Sequence, residues 1–437
     1  MTSSVKKKLL VVDVAALGWS LVRKHGDLAA DWAFRPAQPV FPAVTCVAQA
    51  SFRTASPPHA HGVVSNGLFV GDLRRILFWE QSAGLVAGRR IWQPARDAGQ
   101  RVGLLFWQQS LGESVDVLLS PKPVHKHHGG MIQDCYSQPA ALYETLCGRL
   151  GRSFNLMHYW GPLASRKSSD WIVAATARIM EDRALAPDLL LSYIPHLDYD
   201  LQRFGPDSPR SFQSLEIALG YLSNLRKTAE AAGYDWLFFG DYAIEPVTSG
   251  AVYPNRILRD AGLLEVREVR GMAYPDFFAS HAFAMADHQV AHVYAAEDAA
   301  LEAARERLAA AAGVERVLDR RAQRDAGLDA ARGGDLLLVA KPGAWFAYPW
   351  WTDPAEAPDY ATHVDIHNKP GYDPCELFFG WPPPSISRDP DRVRGTHGRD
   401  GAGTEVAWAT SLELERAPGS LIELAETVRN AMGPPGC

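Results

Sequence analysis

Cysteine is scarce in this chain and follows no pattern. Cys46, Cys135, Cys147, Cys375 and Cys437 are odd in number, scattered, and lack the paired spacing of a zinc finger. Neither a disulfide framework nor a structural zinc knuckle is therefore expected to organise the fold. Long apolar runs are missing as well, and none approaches the roughly 20 residues needed to cross a bilayer. The start, Met1 to Lys8 and onward from Leu9, has the basic-then-apolar look of a signal peptide, but Asp13 interrupts the apolar run and no small-residue cleavage site follows. That segment reads instead as a first strand, and the protein as cytoplasmic and not bound to a membrane. Positive charge is not in excess either: 44 Lys and Arg face 50 Asp and Glu, a net charge of −6. This gives no electrostatic footprint for duplex nucleic acid, yet it leaves room for a small phosphate ester, whose charge a metal site can balance. No internal repeat is present, which excludes solenoids and propellers.

What is present is ample core material, with 47% hydrophobic residues in a chain of 437. One elaborated α/β domain with an insertion fits that length as well as two domains do. Lys8–Val14 reads as a buried strand ending in an acid, Trp19–Lys24 as a short helix, Ile91–Gly99 as a helix and Arg101–Trp107 as a strand. Trp171–Asp182 is an amphipathic helix, Pro187–Ile194 a central strand, Ser211–Ala231 a long helix, and Tyr234–Phe239 a strand running into the loop Gly240–Ala243. Such alternation is the βαβ signature of an α/β fold with a mostly parallel central sheet and helices on both faces. Ligands of such sheets gather outside the carboxyl ends of the strands, and Asp13, Asp198 and Asp241 all occupy that kind of position. The expected core comprises residues 1–244 and 391–437, closed by an amphipathic helix at Leu421–Met432. Residues 245–390 continue it with a lid insertion. Within them Ala282–Ala295 reads as a hairpin around Asp287-His288-Gln289, Asp298–Ala312 as a surface helix, Arg316–Gly334 as charged and exposed, and Asp335–Ala340 as a strand. The aromatic run Trp345 to Trp351 is core packing, or else a wall for an organic leaving group. The His-rich stretch Ser120–Gly130 reads as a solvated loop, and the pair His288 and His292 carries little weight because its Val and Tyr neighbours favour a strand.

The densest functional signal lies at Phe41-Pro42-Ala43-Val44-Thr45-Cys46, a proline-punctuated loop entering an apolar helix. A Thr at a helix start most often caps it, but the same place offers free N–H groups and the positive end of the helix dipole to a phosphate. With the strand-end Asp13 upstream and His61-Gly62-Val63-Val64-Ser65-Asn66 downstream, the order resembles the alkaline phosphatase superfamily, in its type I phosphodiesterase and nucleotide pyrophosphatase branch. The resemblance implies an alkaline-phosphatase-like fold and a metal-dependent phosphodiesterase or pyrophosphatase acting on a small organic phosphate through a phosphothreonine. Thr45 would be the nucleophile and Asn66, with the Cys46 N–H, the holder of a phosphate oxygen. Two divalent metals are implied, zinc by resemblance. One would sit at Asp13, Thr45 and Asp241, the other at Asp198 and His397, the latter in Arg394-Gly395-Thr396-His397-Gly398.

Two positions depart from that pattern. Asp198 to Pro206 resembles D-x-x-x-H-x-x-G-P with Gln202 in place of the His, and Gly240-Asp241-Tyr242-Ala243 resembles S-D-H-G with Tyr242 in place of the His. Carbonyl and phenol oxygens are poorer zinc donors, so Mn²⁺ or Mg²⁺ becomes an option. Asp365 and His367 are candidate replacements, because they alternate onto one side if their segment is extended. A phosphonate C–P hydrolase and a catalytically weak member that binds a phosphorylated metabolite or partner remain the alternatives. Oligomeric state is not readable from the sequence.

Overall fold

The computed structural model describes residues 7–433, so the basic start through Lys6 and Cys437 fall outside the described residues. In chain order the principal elements are β1 (Leu9–Val14), β2 (Arg35–Ala37), α1 (Thr45–Thr54), β3 (Val102–Leu105), β4 (Val117–Pro121), β5 (Cys135–Gln138), α2 (Arg166–Glu181), β6 (Leu189–Ile194), α3 (His196–Phe204), α4 (Pro209–Ala231), β7 (Asp235–Gly240), β8 (Ala282–Asp287), β9 (Val290–Ala295), α5 (Asp298–Ala309), β10 (Val314–Asp319), β11 (Leu336–Ala340), β12 (Val406–Thr410) and α6 (Leu421–Met432).

Eight strands make the central sheet in the order β2-β12-β7-β1-β6-β3-β4-β5. The inner strands β7, β1, β6, β3 and β4 are parallel, and the antiparallel pairings are confined to its two edges. Apolar runs explain the centre: β1 and β6 are buried at every residue, as strands are when both faces of a sheet are covered. Hydrogen bonds assign the covers. Gln49 of α1 bonds Asp13, whereas Thr176 of α2 bonds Ser192, whose register partner is Val12. Adjacent strand residues point to opposite faces, so α1 and α2 lie on opposite sides. α6 packs with α1, and α2 and α3 pack with the long α4, which Ser208 caps and Pro209 opens.

Between β7 and β12 the chain builds a second, antiparallel sheet in the order β8-β9-β11-β10. The hairpin expected around Asp287-His288-Gln289 is β8 and β9. The charged stretch from Arg316 is more ordered than its composition suggests, because it supplies the edge strand β10 and a short helix, Arg320–Asp325. Charge on an edge strand blocks further pairing, which is how natural sheets protect their edges. Trp345, Phe346 and Trp350 are buried in the core, and the His-rich loop near His125 is exposed. Among the described residues no helix is long and apolar enough to cross a membrane.

Three buried histidines make stability depend on pH. Burial lowers His61 from 6.5 to about 3, and His196 and His292 from 6.5 to about 4. The unfolded chain therefore binds more protons than the folded one below 6.5, and stability falls as pH drops through that window. Each group contributes up to roughly 1.4 kcal/mol per pH unit. The buried acids Asp13 and Asp241, raised on folding, act in the opposite direction in this window, so the test is urea midpoints at pH 7 and pH 5 for wild type beside His292→Gln; the wild type should lose more between the two pH values than the variant does, and equal losses would contradict it.

Candidate active site

Two acids stand at the carboxyl ends of adjacent strands, fully buried. Asp13 Oδ2 accepts from Gln49 Nε2 at 2.8 Å, and Gln49 Oε1 in turn accepts the Gln108 N–H at 2.7 Å. Asp241 Oδ1 accepts the N–H groups of Ala16 at 3.2 Å and Tyr242 at 3.0 Å. Gly240 makes that approach feasible, since a Cβ there would lie 2.3 Å from the Leu17 carbonyl oxygen. The remaining oxygens, Asp13 Oδ1 and Asp241 Oδ2, are buried without a partner. Burial pushes Asp13 up to about 8, against the pull of Gln49. Asp241 is raised well above the carboxylate range by burial first and the charge of Asp13 second.

Thr45 is the first residue of α1, not its cap. Val44 holds the cap position in extended conformation and contributes no side-chain bond. The cap comes from a distant residue instead: Asn66 Oδ1 accepts the Cys46 N–H at 3.0 Å. Asn66 is itself held by Asp287, which accepts from its N–H at 2.8 Å and its Nδ2 at 3.1 Å. The Cys46 N–H and the Asn66 oxygen therefore bond each other, and Asn66, like Asp13 and Asp241, lies behind the walls of the cavity that Thr45 borders.

The second residue set is closed by internal hydrogen bonds. α3 puts Asp198 and Gln202 one turn apart on the same face. Asp198 Oδ2 accepts from Gln202 Nε2 at 2.7 Å and Oδ1 from the Tyr242 hydroxyl at 3.1 Å. Gln202 Oε1 accepts from the Tyr372 hydroxyl at 3.0 Å. Tyr242 stacks on His397 with ring centroids 3.6 Å apart and planes 3° apart, and its hydroxyl also faces Thr45. Burial, then the charge of Asp198, raises Tyr242 well above its usual value, so it is a neutral phenol. His397 Nδ1 bonds the Ala43 carbonyl at 2.7 Å, and burial keeps the ring neutral.

The two residue sets differ in the oxygens they leave free. Asp13 and Asp241 each leave a buried oxygen unpartnered, and oxygen donors of this kind suit Mg²⁺ or Mn²⁺. Asp198 has both oxygens satisfied and its neighbours Gln202 and Tyr242 donate rather than ligate. Among the described residues no three His, Cys, Asp or Glu side chains form a metal-binding group.

The candidates Asp365 and His367 do not reach this place. Their segment is a turn rather than extended chain, because Asp365 Oδ1 accepts the N–H groups of His367 at 3.2 Å and Asn368 at 3.0 Å. His367 is exposed. The same segment does reach the cavity five residues later, through Tyr372.

Sequence reasoning passed over Asp287 and His288, although it placed them in a tight turn. His288 borders the cavity with Thr45, Asp198, Tyr242 and His397. Its backbone is left-handed at φ 57°, unusual for a residue other than glycine. The turn is pinned by Phe346 N–H to the His288 carbonyl at 2.7 Å and Gln289 N–H to the His397 carbonyl at 2.9 Å. The inner cavity is about 60 Å³, and shares Tyr372 and Asp373 with an outer groove of about 750 Å³ edged by Tyr348, Trp351 and Trp381.

A parallel sheet with acids and a helix-start threonine at its carboxyl edge defines an α/β protein of the alkaline phosphatase superfamily. The sequence profile of type I phosphodiesterase / nucleotide pyrophosphatase matches residues 27–373, and the chain belongs to that family. Among solved structures it is similar to phosphonoacetate hydrolase from Sinorhizobium meliloti 1021 in complex with phosphonoacetate, at 17% identity and TM-score 0.64, covering 98% of this chain and 96% of that one. It is likewise similar to murine ectonucleotide pyrophosphatase / phosphodiesterase 5, at 15% identity and TM-score 0.63, covering 98% and 95%. An inactive threonine-to-alanine form of that murine protein, in complex with AMP, aligns at 14% identity and TM-score 0.62, covering 98% and 95%. No curated protein matches.

Proposed function

We propose that this chain is a divalent-cation-dependent hydrolase of a small phosphate diester, acting through a covalent phosphothreonine at Thr45. The observation that carries the reading is the Thr45 hydroxyl itself, free of capping duty at a helix start, bordering the cavity with Asp198, Tyr242 and His397, while one turn further along the same helix Gln49 holds the buried Asp13. Asp13, Asp241 and Thr45 would hold the cation, which supplies positive charge that favours the Thr45 alkoxide at neutral pH. Gln49 fixes the rotamer of Asp13, and the N–H groups of Ala16 and Tyr242 fix Asp241. The N-terminus of α1 offers its dipole to the transferring phosphate.

The phosphonate C–P alternative is less well served. Among the described residues no Lys or Arg borders the inner cavity, so a substrate carrying a second anionic group finds no cation to pair with there. A weak or binding-only member is the reading that the closure of Asp198 by Gln202 and Tyr242 favours. Free Cys46, Cys135, Cys147 and Cys375 accord with a reducing, cytoplasmic setting.

Calorimetric titration of the chelated protein with Mn²⁺ or Mg²⁺, paired with hydrolysis of bis(4-nitrophenyl) phosphate, separates these. The enzyme reading expects about one cation per chain and turnover that needs it. No cation binding and no hydrolysis would leave the binding-only reading standing.

A further inference from the structure

The cavity that Thr45 borders is walled by carboxylates and rings, and its charge is of one sign. Among the described residues its lining holds Asp198, Asp373 and Glu376 and no Lys or Arg. Two of these acids are tied to a lysine behind them. Lys369 is 1% exposed, and its Nζ donates to Asp373 Oδ2 and Glu376 Oε1, each at 2.7 Å. One cation between two carboxylates leaves a net negative charge at the cavity wall. Most of the carboxylate oxygens there are taken: Asp198 has both satisfied, Asp373 Oδ1 accepts the Cys375 N–H at 3.0 Å, and Glu376 Oε1 also accepts the Asp365 N–H at 3.0 Å. Of the lining acids only Glu376 keeps an oxygen, Oε2, that accepts nothing from the described residues, although Glu376 is 7% exposed. Burial pushes the Glu376 carboxyl up and the Lys369 charge pulls it back, so a further cation beside it favours the ionised form. Three rings stand at steep angles around the same space. Trp79 meets Trp160 with centroids 4.8 Å apart and planes at 87°, and Tyr372 at 6.2 Å and 70°; all three border the cavity. Trp79 is held there in a left-handed backbone at φ 59°, its N–H donating to the Asn66 carbonyl at 3.1 Å.

Resting on the hydrolase reading above, we propose that the substrate is a zwitterionic phosphate diester, one of whose alcohols carries an ammonium group that sits among Trp79, Trp160, Tyr372 and Glu376. The faces of aromatic rings are negative and attract a cation, and the unpaired Glu376 oxygen adds a charge of the same sign. An anionic group gains nothing from such walls, and a neutral one gains only contact. The two ends of the substrate are then told apart by charge, with the phosphate at the start of α1 and the ammonium at the rings. A nucleotide, which carries no cation at its far end, is disfavoured by the same walls.

The test compares two esters of one shape, 4-nitrophenyl phosphocholine and its 3,3-dimethylbutyl analogue, in which a neutral carbon replaces the ammonium nitrogen and the leaving group is the same. With the full chain and Mn²⁺, kcat/KM should favour the choline ester by roughly tenfold or more. That preference should largely vanish in Glu376→Gln, which keeps an acceptor for Lys369, and in Trp160→Leu, whose half-buried position spares the core. A wild-type ratio near one, or variants that slow both esters equally, would overturn the proposal. Calorimetry with phosphocholine and with 3,3-dimethylbutyl phosphate needs no turnover and separates the two readings. Preferential binding of phosphocholine by a chain inert towards both esters would sink the hydrolase reading and keep the ammonium site. Equal binding of the two, or none, would sink the site.

Discussion

Thr45→Ala is expected to abolish hydrolysis, with a fall of roughly 10⁶-fold, the scale on which removal of a nucleophile disables a site whose residues act as a unit. The fold should barely notice. Val44 occupies the cap position and Asn66 supplies the capping oxygen, so the variant should lose less than the ~1 kcal/mol of a deleted cap. Thr45→Ser should keep part of the rate, since it retains the attacking oxygen and loses only the methyl group that restricts its rotamer. Thermal melts beside single-turnover rates decide between nucleophile and packing residue. Unchanged turnover in Thr45→Ala, or a collapse in stability matching the collapse in rate, would refute the role given to the hydroxyl.

The double variant Gln202→His with Tyr242→His should acquire a second metal. Gln202 and Tyr242 each donate a hydrogen bond to Asp198, so replacing both frees its oxygens and supplies two imidazoles beside His397. Tyr242 also stacks on His397, and the smaller ring would unpin that histidine. Zinc content should rise from about one to about two per chain. Elemental analysis after dialysis against Zn²⁺ is the check; a double variant that folds and still holds one metal would show that the second position is closed by more than these two side chains.

The parallel sheet, the strand-end acids and the helix at Thr45 were legible because each is a local pattern. A buried strand writes itself as an apolar run such as Leu9–Val14, and a proline-led helix start at Thr45 needs no knowledge of the rest of the chain. His288 was not legible as a site residue because its place is set by a contact 221 positions away in sequence, between Asp287 and Asn66. Its turn was readable; where the turn points depends on the docking of the second sheet. Asn66 illustrates the reverse. Its type and spacing suggested a donor to a phosphate oxygen, and in the folded chain its Nδ2 donates to Asp287 while its Oδ1 takes the Cys46 N–H. Asp365 and His367 were assigned to one side by strand periodicity, and the Asp365 side chain instead closes a turn on its own backbone, a habit of Asp that competes with extended structure.

Acid quench during turnover tests the central claim most directly. Wild type mixed with Mn²⁺ and excess diester, stopped in acid within the first turnovers and digested, should yield a phosphorylated peptide spanning Thr45, with the phosphate on that threonine and none in Thr45→Ala. Turnover with no trapped phosphopeptide in the wild type would contradict a covalent mechanism.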